Sequence, residues 1–202
     1  MEVLALLTEF FVFLHRDKLF MTLEDMEKRI FALLVLLFAC SAACAQDQKP
    51  LEVPLPHKVE NVEIVDLYNK ATKLPMWGKK HLLIFYVDPD RHRQNHEFTV
   101  ELEENHRAEG EDIYGFGIVN LKDTWLPNDI IRGLARKRTE KNNATIITDE
   151  DRSIAKKWGL GDCNNVFIIM FVTKEGELVY CKKGQYTEED KAEFYEFIKK
   201  YQ

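Results

Sequence analysis

The segment Asp88-Pro89-Asp90-Arg91-His92-Arg93-Gln94-Asn95-His96 gathers side chains that could bind or react. Asp88 suits a helix cap, Pro89 the first helical position and Asp90 the first turn, beside the positive end of the helix. An exposed loop at a helix start also attracts anions or partners, which makes Asp88, Asp90, Arg91 and His92 candidate binding residues. Two aspartates weigh against an anion there. His92 and His96 stand four apart, a spacing that on one helix holds a transition metal, with Asp88 as a third ligand. Without an HExxH context the pair is a weak signal, and a solvated helix face is the plainer reading.

The chain has four cysteines, Cys40, Cys44, Cys163 and Cys181. Cys163 is the candidate reactive thiol and is expected to be exposed, although no positive charge nearby in sequence would activate it. Cys181 is expected to be buried. If Glu175-Gly176 turns a hairpin, Cys181 faces Met170 and Cys163 lies roughly 23 Å further along at about 3.3 Å per residue. A disulfide needs Cα atoms within about 7 Å, so no bridge is expected unless the chain doubles back at Asn164-Asn165.

The elements that position these residues alternate in type. Val62 to Val65 alternates at period two, and Leu82 to Val87 is a continuous apolar run suited to a strand covered on both faces. Asp90 to His106 reads as a helix with Phe98 and Leu102 inward. Strands follow at Ile113 to Asn120 and Ala144 to Thr148, with a helix from Leu126 to Lys137 between them and Ile130, Ile131 and Leu134 inward. A short helix runs from Asp151 to Trp158. Val166 to Thr173 and Leu178 to Lys182 form a hairpin, and Thr187 caps a last helix in which Phe194, Phe197, Ile198 and Tyr201 share one face. The pattern predicts an α/β domain, a mixed sheet with helices on both faces. Arg132, Arg136, Lys137, Arg138 and Lys141 read as a solvated helix end or, more sharply, a docking patch for an acidic partner. Trp77, Trp125 and Trp158 sit at segment junctions and are expected to pack in the core or at its edge.

The first 45 residues have a different character. Ile30 to Ala39 is an apolar run of ten after Lys28-Arg29 and before SAACA, the layout of a signal peptide over 26–45 cleaved at Ala45-Gln46. It is short for a membrane span, which needs about 20 apolar residues. Residues 1–25 read as an extension upstream of a start at Met26, or else as an amphipathic membrane-surface segment. Leu37-Phe38-Ala39-Cys40 approximates a lipobox, so lipidation at Cys40 or Cys44 is the alternative to plain cleavage. Residues 46–58, with three prolines, form an extended leader, and 59–202 the domain. The whole chain has net charge −6. Removing four basic and six acidic residues before Gln46 from totals of 28 and 34 leaves −4, which argues against nucleic acid or an anionic membrane as the main partner.

Two segments carry a family resemblance. NVEIVDLYNKATKLPMWGKKHLLIFYV (61–87) is similar to the opening of peroxiredoxin-like and secreted thioredoxin-like domains. DEDRSIAKKWGL (149–160), then VFIIMFVTKEGELVY and a helix, resembles their ending. Within the thioredoxin-like superfamily the chain looks most like the small periplasmic YtfJ-like proteins, on Ile118-Val119-Asn120, Thr173 to Gly176 and Gly184 to Glu189. The resemblance implies a thioredoxin-like fold. The departures are at the chemistry. No cysteine lies between Asp88 and Asn95, no PxxxTxxC is present, and no proline stands between Trp158 and Lys174 where the fold usually has a cis-proline. The expectation is a secreted or periplasmic, redox-inactive protein- or peptide-binding module with no cofactor. A thiol enzyme using Cys163 and a His92/His96 metal protein are the alternatives.

Overall fold

The computed structural model describes residues 53–142 and 144–202. The segments expected to be a signal peptide and its cleavage site, Cys40, Cys44 and residues 1–25 lie outside them. The strands are β1 (His57–Lys58), β2 (Glu63–Val65), β3 (Ala71–Lys73), β4 (His81–Val87), β5 (Ile113–Asn120), β6 (Ile146–Asp149), β7 (Phe167–Val172) and β8 (Glu177–Lys183). The helices are α1 (His96–Asn105), α2 (Asn128–Asn142), α3 (Ser153–Lys157) and α4 (Glu188–Ile198).

Among the described residues one sheet runs β1-β8-β7-β4-β5-β6-β2-β3. β4, β5 and β6 are parallel and linked through α1 and α2, while β7 and β8 return antiparallel as a hairpin. The continuous apolar run of β4 is explained by burial on both faces. Leu82, Ile84 and Tyr86 enter one cluster with Trp158, Leu160, Cys163, Ile168 and Met170. Leu83 enters the other, with Phe98 and Leu102 of α1, Ile169 and Phe171 of β7, and Phe194 and Ile198 of α4. The hairpin pairs Met170 with Cys181 as expected, but by a different route: Thr173 rather than Lys174 faces Glu177, so the loop is Lys174 to Gly176, and an irregularity between Phe171 and Val172 restores the register. Gly176 makes that turn at φ +77°, where a Cβ would stand 3.2 Å from the Val59 carbonyl oxygen. Thr187 caps α4 in a reciprocal pair with Asp190.

Three expectations need correction. α1 begins at His96 and not Asp90, because Gln94 and Asn95 commit their side chains to the backbone of neighbouring elements. α2 turns Ile131, Arg132 and Ala135 inward and leaves Ile130 and Leu134 in water. The buried arc is set by the i, i+4 pair Ile131/Ala135, with Arg132 between them held by Glu150 and Asp129. Trp158 is buried as expected and Trp77 packs against the same cluster, but Trp125 is 81% exposed.

Candidate functional site

Asp88 directly follows β4 and is fully buried. Its Oδ1 accepts the Asp90 amide at 2.8 Å, capping a single 3₁₀ turn over Pro89–Arg91. Its Oδ2 accepts the Asn165 amide at 2.7 Å, and its own amide donates to the Val166 carbonyl at 3.2 Å. Both carboxylate oxygens are therefore taken by backbone N–H groups. Asp88 is a cap, as its position predicts, and also a clamp between two loops; buried and bound on both oxygens, it fits neither of its alternative roles, exposed binding residue or metal ligand.

His92 lies in the turn ahead of α1, so His92 and His96 do not share a helix face. The His92 Nδ1 faces the Pro89 carbonyl at 2.8 Å and donates to it. No cluster of three metal-ligating side chains forms among the described residues. Asp90, Arg91, His92, Arg93 and His96 are exposed.

Two residues with no distinguishing signal in the sequence build the surface beside them. Gln94 Oε1 accepts the Phe167 amide at 2.8 Å. The buried Asn95 donates through Nδ2 to the Gly184 carbonyl and accepts at Oδ1 from the Tyr186 amide, each at 2.9 Å. The two Asn95 bonds hold the 184–186 loop against the 90–97 segment, and the Gln94 bond ties that segment to β7. Between the loop and the segment lies a cavity of about 400 Å³ lined by residues 93–98 together with Gln185, Tyr186, Glu188 and Lys191. A second, of about 360 Å³, is lined by Asp90, Arg91, His92, Arg93, Gln94 and Gln185. Shared Arg93, Gln94 and Gln185 join the two into one polar groove. The Lys191 ammonium is 5.9 Å from the Phe98 ring centroid, and its hydrogen bond to Glu188 raises its pKa.

The carboxyl ends of the parallel strands carry a second polar network. The Asp149 carboxylate accepts the Ser153 and Ile154 amides at 2.7 and 3.0 Å, and the Tyr86 hydroxyl donates to it at 3.2 Å. Burial first, then the Asp149 charge, drives the Tyr86 phenol well above its ordinary pKa. Asp123, beside it, is held by Asn120 and Arg152.

Cys163 is fully buried, contrary to the expected exposed thiol, with its Sγ 3.6 Å from the Gly161 carbonyl oxygen. Burial pushes its pKa up to about 11 against a partial opposing effect of Lys183. Cys181 is half-buried and not fully so, and burial raises it to about 12. Cys163 joins the cluster against which Cys181 packs, near enough for its charge to contribute to the raised Cys181 pKa, so the expected 23 Å separation does not hold. Both thiols are free. Neither is a poised nucleophile, since the thiolate is the reactive species.

No family model matches the sequence, and no curated protein does. Solved structures do match in fold. A protein from Bacteroides thetaiotaomicron described as a candidate disulfide isomerase is 18% identical with a TM-score of 0.53, covering 74% of this chain and 90% of that one. A DsbF homologue from Corynebacterium diphtheriae is 13% identical with a TM-score of 0.52, covering 76% and 96%. A peroxiredoxin-like protein from Aquifex aeolicus is 14% identical with a TM-score of 0.50, covering 75% and 89%. The chain has a thioredoxin-like fold. At these identities the likeness speaks to the fold alone.

Proposed function

We propose that this chain is a secreted or periplasmic thioredoxin-fold recognition protein that binds a protein or peptide partner in the groove between residues 90–97 and 184–186, without thiol chemistry. The observation that carries this reading is at the end of β4. There the chain has a buried aspartate bound on both oxygens by backbone amides, and thiolate chemistry needs a cysteine with its charge stabilised at a helix start. The groove beside it offers exposed Arg91, Arg93, His96 and Gln185 for recognition. Secretion and the likeness to YtfJ-like proteins are supported by the sequence features of residues 26–45 and 118–189.

Selection of a random peptide library against the protein tests this. Bound peptides should lose about tenfold or more in affinity with Arg93→Glu and keep it with the distant Lys200→Glu. Peptides indifferent to Arg93→Glu would remove the groove from the reading. Catalysed reduction of insulin by dithiothreitol, lost in Cys163→Ser, would replace it with thiol chemistry.

A further inference from the structure

The outer face of α2 exposes large apolar side chains without using them in the fold. Ile130 is 51% and Leu134 57% exposed, and Trp125 stands in water three residues ahead of the helix. Lys137 and Lys141, both exposed, continue the same row. Steps of four, three and four residues place Ile130, Leu134, Lys137 and Lys141 on one stripe about 17 Å long, the spacing of a coiled-coil seam. The first half of the seam is aliphatic and the second half cationic. The two lysines repel each other at i, i+4, a small cost in the isolated domain. The basic cluster read from the sequence is thus divided. Arg132 and Arg136 turn inward, to Glu150 and to the Leu67 carbonyl, and Lys137 and Lys141 are left to face out.

We propose that this seam docks an amphipathic helix of a partner protein, one with two acidic residues followed by two aliphatic ones at the same spacing, lying antiparallel to α2. Aliphatic meets Ile130 and Leu134, and carboxylate meets Lys137 and Lys141. The antiparallel direction puts the partner's acids in its N-terminal half, where the helix dipole favours them. A second copy of this chain does not fit. Antiparallel self-pairing buries Lys137 and Lys141 against Leu134 and Ile130, and parallel self-pairing sets lysine on lysine. A membrane surface fits poorly, since a helix lying in a bilayer interface sets its cations on one face and its apolar side chains on the other, whereas here both share one stripe.

The probe is a labelled synthetic helix with Glu, Glu, Leu, Leu at seam positions and Ala and Gln elsewhere, titrated with the full chain by fluorescence anisotropy. Saturable binding is expected, weakened about tenfold or more by Lys137→Glu with Lys141→Glu and regained by a probe carrying Lys in place of Glu. Regained binding cannot come from a misfolded variant. Absence of saturable binding up to about 1 mM, or an affinity indifferent to the charge reversal, overturns the proposal. So does self-association abolished by Ile130→Asp, or binding to phosphatidylglycerol vesicles that the reversal abolishes while the probe stays unbound.

Discussion

The Asp88 carboxylate and the Asn165 amide, 77 residues apart in sequence, meet at 2.7 Å where β4 runs out and the chain turns into β7. The same carboxylate caps the Pro89–Arg91 turn, so one buried side chain fixes two loops. Asp88→Ala leaves two N–H groups without acceptors and should cost about 2–4 kcal/mol in urea unfolding. Asp88→Asn keeps one acceptor oxygen and turns an amide donor toward the other N–H, so it recovers only part of that loss. An Asp88→Ala variant as stable as the wild type would show that the clamp is dispensable.

The raised Cys163 pKa makes a statement about stability at alkaline pH. Its thiol sits at about 11 in the folded chain against an ordinary 9.0, and burial favours the neutral form. Stability from this group is complete below pH 9 and is lost as pH rises through about 11, because only the unfolded chain ionises freely in that window. A tenfold change in an acid dissociation constant corresponds to about 1.4 kcal/mol. Comparing wild type with Cys163→Ala cancels the other titrating groups. The wild-type advantage should be constant from pH 6 to 8 and shrink by roughly 1 kcal/mol or more by pH 10.5. A flat difference would mean that the thiol is hydrated.

Tyr86 and Asp149 form a testable pair under α3. Tyr86→Phe removes one hydroxyl donor and should cost about 1–2 kcal/mol. Asp149→Ala also uncaps Ser153 and Ile154 and should cost more. Combined in a double-mutant cycle, the two should couple by about 0.5–1.5 kcal/mol, which is the part belonging to the 3.2 Å bond itself. Strict additivity would assign the Tyr86 loss to packing alone.

The parts of the molecule legible in its sequence are those governed by local pattern. Ile113 to Asn120 forms a strand over that whole range, and Thr187 caps α4. Met170 does face Cys181, but only because an irregularity between Phe171 and Val172 offsets a turn one residue longer than the sequence suggests. β1 and β3 are two and three residues long, too short for a periodic signal, and exist because β8 and β2 offer them partners. On α2 the sequence offers Ile130, Ile131 and Leu134 equally. The buried arc pairs Ile131 with Ala135 and includes Arg132, which reaches Glu150 and Asn69, contacts made across elements. The groove is illegible for the same reason. Its exposed members Arg91, His92 and His96 stand out by type, but Asn95 matters only through partners about ninety residues away. Asp88 is legible as a cap, and its second bond to Asn165 is not.

Asn95 gives the most direct handle on the groove, because it both donates to Gly184 and accepts from Tyr186. Asn95→Ala should cost about 1–3 kcal/mol and free the 184–186 loop, seen as faster amide exchange at Tyr186. Asn95→Asp preserves shape and the Tyr186 bond but sets a carboxylate against the Gly184 carbonyl oxygen. Buried there, the carboxyl has its folded pKa raised, so its neutral form can donate to Gly184 and its charged form cannot. The penalty is therefore absent below the unfolded carboxyl value of about 4 and fully present above the raised folded value. Asn95→Asp should match or exceed the damage of Asn95→Ala at pH 7 and regain stability relative to it as pH falls toward 4.5. A difference between the two variants that does not move with pH would place Asn95 in contact with water and not with the 184–186 loop.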